Sequence, residues 1–241
     1  MSVSYVGTDL EAMSFAVRYH RWILDEFRPF LGRRLVEVGA GTGDFSQLLA
    51  DTRPDLLILV EPSQMVDKLN VRVSSLAKSE QPVVVSSSFR DASNSIRQQK
   101  PDSVIYVNVL EHIDDDVAEL ESVFQCLPPG GRLFIFVPAH PWLYGPFDAA
   151  VGHYRRYSRT DLEEKCASTG FKIIKSINFD LFGIAPWWLK YRVFRSNSLG
   201  ARSVEYYDRF VVPISRAIET RVNVPIGKNV LLIAEKPVES R

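Results

Sequence analysis

The chain has 241 residues, 46% of them hydrophobic and 24% charged, a balance that suits one folded domain and excludes a disordered or fibrous chain. Its 29 Lys and Arg offset 29 Asp and Glu, so the formal net charge is zero and the general electrostatic case for a nucleic-acid partner is missing.

A leading helix is predicted from Asp9 to Phe30, carrying Phe15, Tyr19, Trp22, Ile23 and Phe27 on one side. Short apolar runs then recur at Leu35–Val38, Leu56–Val60, Pro82–Val85, Ser103–Val107 and Leu133–Val137. Their near-continuous apolar character is that of strands buried on both faces of a parallel sheet. Helical spacing separates them: Phe45, Leu48 and Leu49; Met65, Leu69 and Leu76; then Val117, Leu120, Val123, Phe124 and Leu127 behind the carboxylates of Asp114–Asp116. Pro128-Pro129-Gly130-Gly131 ends that third helix and turns the chain into the next strand. Two later strands are predicted at Lys172–Ile177, whose period-two alternation suits an edge or antiparallel pair, and at Asn229–Ala234. The expected fold is α/β, a doubly wound Rossmann-like sheet of seven mostly parallel strands, with ligands beyond the carboxyl ends of the strands. It forms a single domain. Residues 1–34 give the N-terminal cap helix, 35–137 the cofactor-binding core, 138–195 an aromatic substrate cap with the sixth strand, and 196–241 a C-terminal helix with the last strand.

Cys126 and Cys166 have no Cys-x-x-Cys spacing and are expected to be buried thiols in a reducing compartment. No apolar run follows a basic start, and the greasiest stretch, Leu181 to Leu189, contains Gly183 and Pro186; a cytoplasmic protein is therefore expected.

The sharpest local signal is Leu35-Val36-Glu37-Val38-Gly39-Ala40-Gly41-Thr42-Gly43. Glycines between a buried strand and a helix permit a tight turn and close approach of a ligand to the backbone. Glu61, at the end of the second strand, is placed to accept hydrogen bonds from both hydroxyls of a ribose. A dinucleotide fingerprint would put its third glycine at position 44, which is Asp44, and Glu37 would repel a pyrophosphate. S-adenosylmethionine carries an ammonium, a sulfonium and no phosphate, so the charges favour it over NAD.

The motifs Val36-Glu37-Val38-Gly39-Ala40-Gly41-Thr42-Gly43, Glu61-Pro62-Ser63-Gln64-Met65, Asn108-Val109-Leu110-Glu111-His112-Ile113 and Leu127-Pro128-Pro129-Gly130-Gly131 resemble those of class I S-adenosylmethionine-dependent methyltransferases. Val137-Pro138-Ala139-His140 with Gly152-His153-Tyr154-Arg155-Arg156-Tyr157-Ser158 resembles a small-molecule subgroup of these enzymes. The resemblance implies that Glu37, Gly39, Ala40, Gly41 and Gly43 hold the methionine portion of the cofactor, and that Glu61 binds the ribose. It also implies that Pro62, Met65, Ser88 and Phe89 surround the adenine, and that Asn108 faces the cofactor. Tyr19 or Trp22 would cover the methionine end. An acid common beside the adenine amine is missing at Ser88 and Phe89.

Methyl transfer is an in-line displacement at carbon, for which the protein supplies alignment, exclusion of water and, for a hydroxyl, a base. His153, with His140 and Tyr154, is the candidate catalytic group, because an imidazole titrates near neutral pH. Arg155, Arg156 and Tyr157 are candidate substrate contacts, the arginines for a carboxylate or phosphate. Asp148 could instead pair with one of those arginines. Some relatives hold a divalent ion with Glu-x-x-Glu-His; Asn108 stands in place of the first Glu, and no metal is expected. Ser158 is read as a helix cap. The stretch 179–195, with paired Trp187 and Trp188 beside Lys190, Arg192 and Arg195, packs as core, lines an acceptor pocket, or meets a dimer partner or membrane surface.

The expected activity is methyl transfer from S-adenosylmethionine to an oxygen or nitrogen of a small molecule, sugar-linked, lipid-linked or a secondary metabolite. The alternatives are a nucleic-acid or protein methyltransferase, an NAD-type oxidoreductase and a non-catalytic methyltransferase-like subunit.

Overall fold

The computed structural model describes residues 14, 16–75, 81–196 and 199–238. Seven strands, β1 (Arg34–Val38), β2 (Leu56–Val60), β3 (Val83–Val85), β4 (Ser103–Val107), β5 (Arg132–Pro138), β6 (Lys172–Phe179) and β7 (Asn229–Glu235), form one sheet in the order β3-β2-β1-β4-β5-β7-β6. Strands β1 to β5 pair in parallel, and β7 runs antiparallel to both β5 and β6. The alternating strand β6 is at the sheet edge, as its half-polar pattern requires.

Side chains alternate across the sheet, so every apolar run feeds two cores at once. On one face Val36, Ile58, Val104 and Ile135 pack under α4 (Phe89–Gln98), α5 (Asp116–Cys126) and α7 (Arg159–Ser168). On the other, Leu35, Leu57, Ile105 and Phe134 pack under α1 (Val17–Phe27), α2 (Asp44–Ala50) and α3 (Met65–Ser74). A short α6 (Pro146–Ala150) follows β5; α8 (Ile184–Trp187) winds on through Trp188–Val193. The last helix, α9, comprises Ala201–Tyr206, Tyr207–Val211 and Val212–Glu219 in continuous succession. The helix α4 has no counterpart in the sequence expectations, because its inward stripe is only Phe89, Ala92 and Ile96 among polar residues. Ser88 nevertheless caps it by accepting from the Asp91 amide at 3.2 Å. Ser158 caps α7 in the same way, accepting from the Asp161 amide at 3.0 Å.

Asp9, Phe15 and Leu76, part of the expected helical stripes, lie outside the described residues. Trp22 is corrected from cofactor contact to core: it is 1% exposed, its ring stacked 3.9 Å from that of Phe179. Tyr19, less than one turn earlier on α1, packs against the same Phe179 yet also reaches the ligand edge of the sheet, which Trp22 does not. Cys126 and Cys166 are free and buried, their thiols pushed up to about 11 and about 12, chiefly by burial. No helix among the described residues is long and apolar enough to cross a membrane.

Candidate active site

The register brings the carboxyl ends of β1, β2 and β4 level, with Val38 opposite both Val60 and Tyr106. The amides of Gly39 and Ala40 donate to the Val60 carbonyl at 2.8 and 3.1 Å, and the Asn108 amide donates to Phe136 at 2.8 Å. The sheet order reverses between β1 and β4, so these loops diverge to opposite faces and leave a crevice between them.

Gly39, Gly41 and Gly43 have φ of 69°, 56° and 85°, left-handed values that disfavour a side chain. At Gly39 a Cβ would also lie 2.5 Å from Val109. The loop is pinned from β2: Glu61 accepts from the Gly41 amide through Oε2 at 2.7 Å and from the Ser63 amide through Oε1 at 2.8 Å. Each oxygen keeps a second lone pair for another donor.

Two cavities meet at Gly39, Gly41, Asn108 and His112. The larger, about 490 Å³, has Pro62, Met65, Phe89 and Val109 as apolar walls, with Glu61 and Ser88 among its polar groups. Positions 88 and 89 hold no acid, but Asp91, in the first turn of α4, lines the same cavity. The signal was present as Ser88-x-x-Asp91, a cap spacing. The smaller cavity, about 170 Å³, lies over Glu37, Ala40 and Asn108 and is walled by Tyr19, Phe147 and Trp187.

Glu37 is 3% exposed, and its Oε2 has no hydrogen-bond partner. Burial pushes its carboxyl up to about 8, opposed by Ser46 and reinforced by the charges of Glu61 and Asp44. A buried, unpaired carboxylate oxygen at a cavity wall is matched by a cationic ligand group.

Across the smaller cavity His153 sits between two acids. Its Nδ1 is 2.9 Å from Asp148 Oδ1 and its Nε2 is 3.9 Å from Glu111 Oε1. Asp148 also accepts from Arg156 Nε at 2.8 Å and from the Gly145 amide at 2.9 Å. Burial works against ionisation of Asp148, but the hydrogen bond from His153 and the Arg156 guanidinium outweigh it and hold the carboxyl below its ordinary value. An ionised Asp148 only accepts, so Nδ1 of His153 is the donor in this pair and Nε2 is turned towards Glu111. Glu111 is fully buried, both oxygens lack partners, and burial pushes its carboxyl up to about 7 against the pull of His153 and Arg156. Burial and His153 together hold His112 down at about 3. Ligand atoms of Glu111, His112 and His153 all lie within 4.8 Å of one another, a donor set that fits a divalent ion.

Of the expected site residues, the structure gathers Tyr19, Glu37, Gly39, Ala40, Gly41, Asn108, His153 and Arg156 on the smaller cavity, and Glu61, Pro62, Met65, Ser88 and Phe89 on the larger. Gly43 caps α2 behind the loop. Four placements are corrected. Tyr157 is fully buried, its hydroxyl donating to Asp116 at 2.8 Å. Arg155 turns to Asp116 and Asp114, at 2.8 and 3.6 Å, away from the cavity. Tyr154 is 57% exposed and lines neither cavity; its amide donates to the Glu111 carbonyl at 2.8 Å. His140 stacks on Trp142 with ring centroids 5.4 Å apart and lines neither cavity. Residues 153–156 have neither helix nor strand periodicity, so tertiary partners set each side chain: His153 and Arg156 turn to Asp148 and the cavity, Arg155 and Tyr157 to Asp116. Asp148 pairs with Arg156, as one sequence reading allowed, and with His153 as well. Glu111 entered the sequence reading only through the incomplete Glu-x-x-Glu-His pattern, and His20 and Lys228, which also line the smaller cavity, were missed. Glu111 carried a visible signal in Glu111-His112 after a strand; Lys228 carried none.

A family model described as a methyltransferase domain matches residues 15–176, more than half of the chain. The Dictyostelium discoideum protein named "Probable polyketide synthase 40" is 27% identical over 192 residues, spanning 66% of this chain but only 7% of the relative. Among solved structures, phosphoethanolamine N-methyltransferase 2 of Haemonchus contortus superposes with a TM-score of 0.64 at 18% identity, over 98% of this chain and 59% of its own. A Thermotoga maritima S-adenosylmethionine-dependent methyltransferase gives 0.61 at 17% identity and covers 96% of both chains. An Archaeoglobus fulgidus enzyme of the same description gives 0.59 at 17% identity, over 88% of this chain and 91% of its own. By that family match, with the glycine loop and the acids at the tips of β1 and β2, the chain belongs to the methyltransferase-domain family and takes S-adenosylmethionine as its cofactor.

Proposed function

We propose that the enzyme methylates an oxygen or nitrogen of a small-molecule acceptor held in the smaller cavity, with His153 as the base. The observation that carries this reading is that His153 and Glu111 line the same cavity as Glu37 and Asn108, with Asp148 bonded behind His153. When bound, the cofactor supplies a methyl group on a sulfonium, an electrophile that needs no further activation. Glu37 would hold its ammonium and Glu61 its ribose, while Pro62, Met65 and Phe89 flank the adenine. Asp148 fixes the His153 tautomer, Nε2 takes the acceptor's proton, and Glu111 shares it. Arg156 Nη2 is buried without a partner, and the guanidinium lies 4.8 Å over the Trp187 ring, so an acidic group on the acceptor would complete its hydrogen bonding. The phosphomonomethylethanolamine named with the Haemonchus enzyme and the polyketide synthase relatives accord with a small acceptor. The zero net charge speaks against nucleic acid.

Incubation with methyl-labelled cofactor and fractionated cell extract tests this reading. Label is expected in a low-molecular-weight product; label found only in protein or nucleic acid would overturn it. The Glu111–His112–His153 cluster favours a second reading, in which a divalent ion polarises the acceptor hydroxyl. Turnover that survives exhaustive chelation rules that reading out.

Glu37 makes cofactor binding proton-linked. Its carboxyl is raised to about 8 in the free protein, and an ammonium beside it favours the charged form. Binding of S-adenosylhomocysteine at neutral pH should therefore release close to one proton, and affinity should rise by up to about tenfold per pH unit towards pH 8. Calorimetry in buffers of different ionisation enthalpy measures the release. Glu37→Gln should abolish it; equal release in wild type and variant would disprove the assignment.

A further inference from the structure

The inner face of α9 is well partnered. Val212 and Ser215 are buried, and Asp208 accepts from the amides of Arg18 and Tyr19 at 3.1 and 2.8 Å, which fixes α9 against the start of α1. Its outer face is different. Tyr206, Phe210, Ile214, Ile218, Val222 and Ile226 recur every fourth residue and are all 40–64% exposed. Position i+4 lies close to position i on a helix, so Tyr206, Phe210, Ile214 and Ile218 form one apolar band along α9, and Val222 and Ile226 add exposed apolar side chains just beyond its end. From α8 the chain adds Trp188 at 46% and Phe194 at 73% exposed. An exposed stripe of this length on an otherwise well-packed molecule marks a contact surface.

The charges around it say what the contact is. Between residues 184 and 226 there are seven Lys and Arg against three Asp and Glu, in a chain whose total charge is zero. Of the three acids Asp208 is buried and Glu219 half-buried, which leaves Glu205 as the exposed one. Arg192, Arg195, Arg202, Arg209 and Arg221 are exposed among the apolar residues. A two-fold dimer through this face would set the same arginines against one another. An anionic bilayer satisfies both components: its phosphates meet the guanidinium groups, and its acyl boundary takes the Phe, Ile and Trp side chains. With no helix among the described residues able to cross a membrane, the face would lie on the surface.

We propose that the outer face of α9, with the exposed end of α8, docks this protein on anionic lipid bilayers. Trp187, next to Trp188, and Leu199, two residues before α9, both line the smaller cavity, so docking sets the cavity mouth close to the bilayer. The proposal stands apart from the identity of the methyl acceptor.

Vesicle co-sedimentation of the full chain tests it, using phosphatidylcholine vesicles with and without about 30 mol % phosphatidylglycerol. Binding is expected to the anionic vesicles, to weaken with added salt, and to be at least about tenfold weaker on neutral ones. The double variant Phe210→Ser/Ile214→Ser, altered only at exposed positions, should lose at least about tenfold in partitioning. Its S-adenosylhomocysteine affinity should not change, which controls for folding. Arg202→Ala/Arg209→Ala should flatten the salt dependence. The proposal is overturned by no binding to anionic vesicles at low salt. It is equally overturned if light scattering shows a dimer that the Phe210→Ser/Ile214→Ser variant dissociates, because a second copy then covers the face.

Discussion

Replacing His153 with Ala is expected to lower turnover by about 10²–10⁴-fold while leaving S-adenosylhomocysteine affinity nearly unchanged. The imidazole lies between Asp148 and Glu111, its side chain 10% exposed, on the cavity beside Asn108. Its polar partners are Asp148 and Glu111, not the glycine loop that would hold the cofactor. Loss of the base therefore appears in the chemical step and not in cofactor binding. Added imidazole should restore part of the rate, since the substitution empties a volume of its own shape. Asp148→Asn should also slow turnover, because an amide can present its NH₂ to Nδ1 and reverse the tautomer. Turnover should fall as pH drops through about 7, where Glu111 takes up a proton and stops receiving one from His153, and Glu111→Gln should remove that inflection. Tyr154→Phe, at a ring 57% exposed and outside both cavities, should be silent. Steady-state rates on the labelled acceptor decide the matter: full activity in His153→Ala would end its assignment as base.

Asp180→Ala is expected to cost about 3–5 kcal/mol of stability. The residue is fully buried at the end of β6, where it joins elements far apart in sequence. It accepts from the hydroxyl of Tyr19 on α1 at 3.1 Å, from that of Tyr207 on α9, and from the Gly183 amide at 3.1 Å. It also pairs with Lys228 Nζ at 3.0 Å. That ammonium lies among the rings of Tyr19, Trp187 and Tyr207, at 4.9, 5.7 and 5.4 Å, so removing the carboxylate strands a cation in an aromatic enclosure. The backbone adds to the cost, since φ at Asp180 is 67°, a value that Asp and Asn tolerate better than Ala. Asp180→Asn should consequently lose less. The denaturant midpoint should fall with the slope unchanged, and Tm should drop by on the order of 10 °C. Adding Lys228→Met to Asp180→Ala should recover part of the loss, because the stranded charge goes with it. A stability loss below about 1 kcal/mol would show that the cap is held by packing alone.

The strand positions and the cofactor edge were legible because they depend on local chemistry. A run such as Leu56–Val60 has no partner but a sheet buried on both sides, and three glycines after Val38 have few uses besides a left-handed turn over a ligand. Glu61 followed from position alone, one residue past a strand end. The helix α4 was not legible, since three apolar residues in ten give a stripe too narrow to separate from a polar loop.

The candidate catalytic wall lies at the other extreme. Gly152–Ser158 was recognisable as a unit, yet its members part company in the fold: His153 and Arg156 turn into the cavity, Tyr157 into the core and Tyr154 to solvent. Which side each faces depends on the pairing of Ala139 with Tyr157 and on Asp148 arriving from α6, contacts between segments that sequence does not order. By itself, then, the sequence determined the sheet, the glycine loop and the cofactor's charge type, because periodicity, φ restrictions and single acids act over a few residues. Only the tertiary structure decided that Glu111, His112 and His153 share one cavity, that Trp22 belongs to the core and that α9 keeps an apolar face outward. Those facts depend on distances closed by the whole fold.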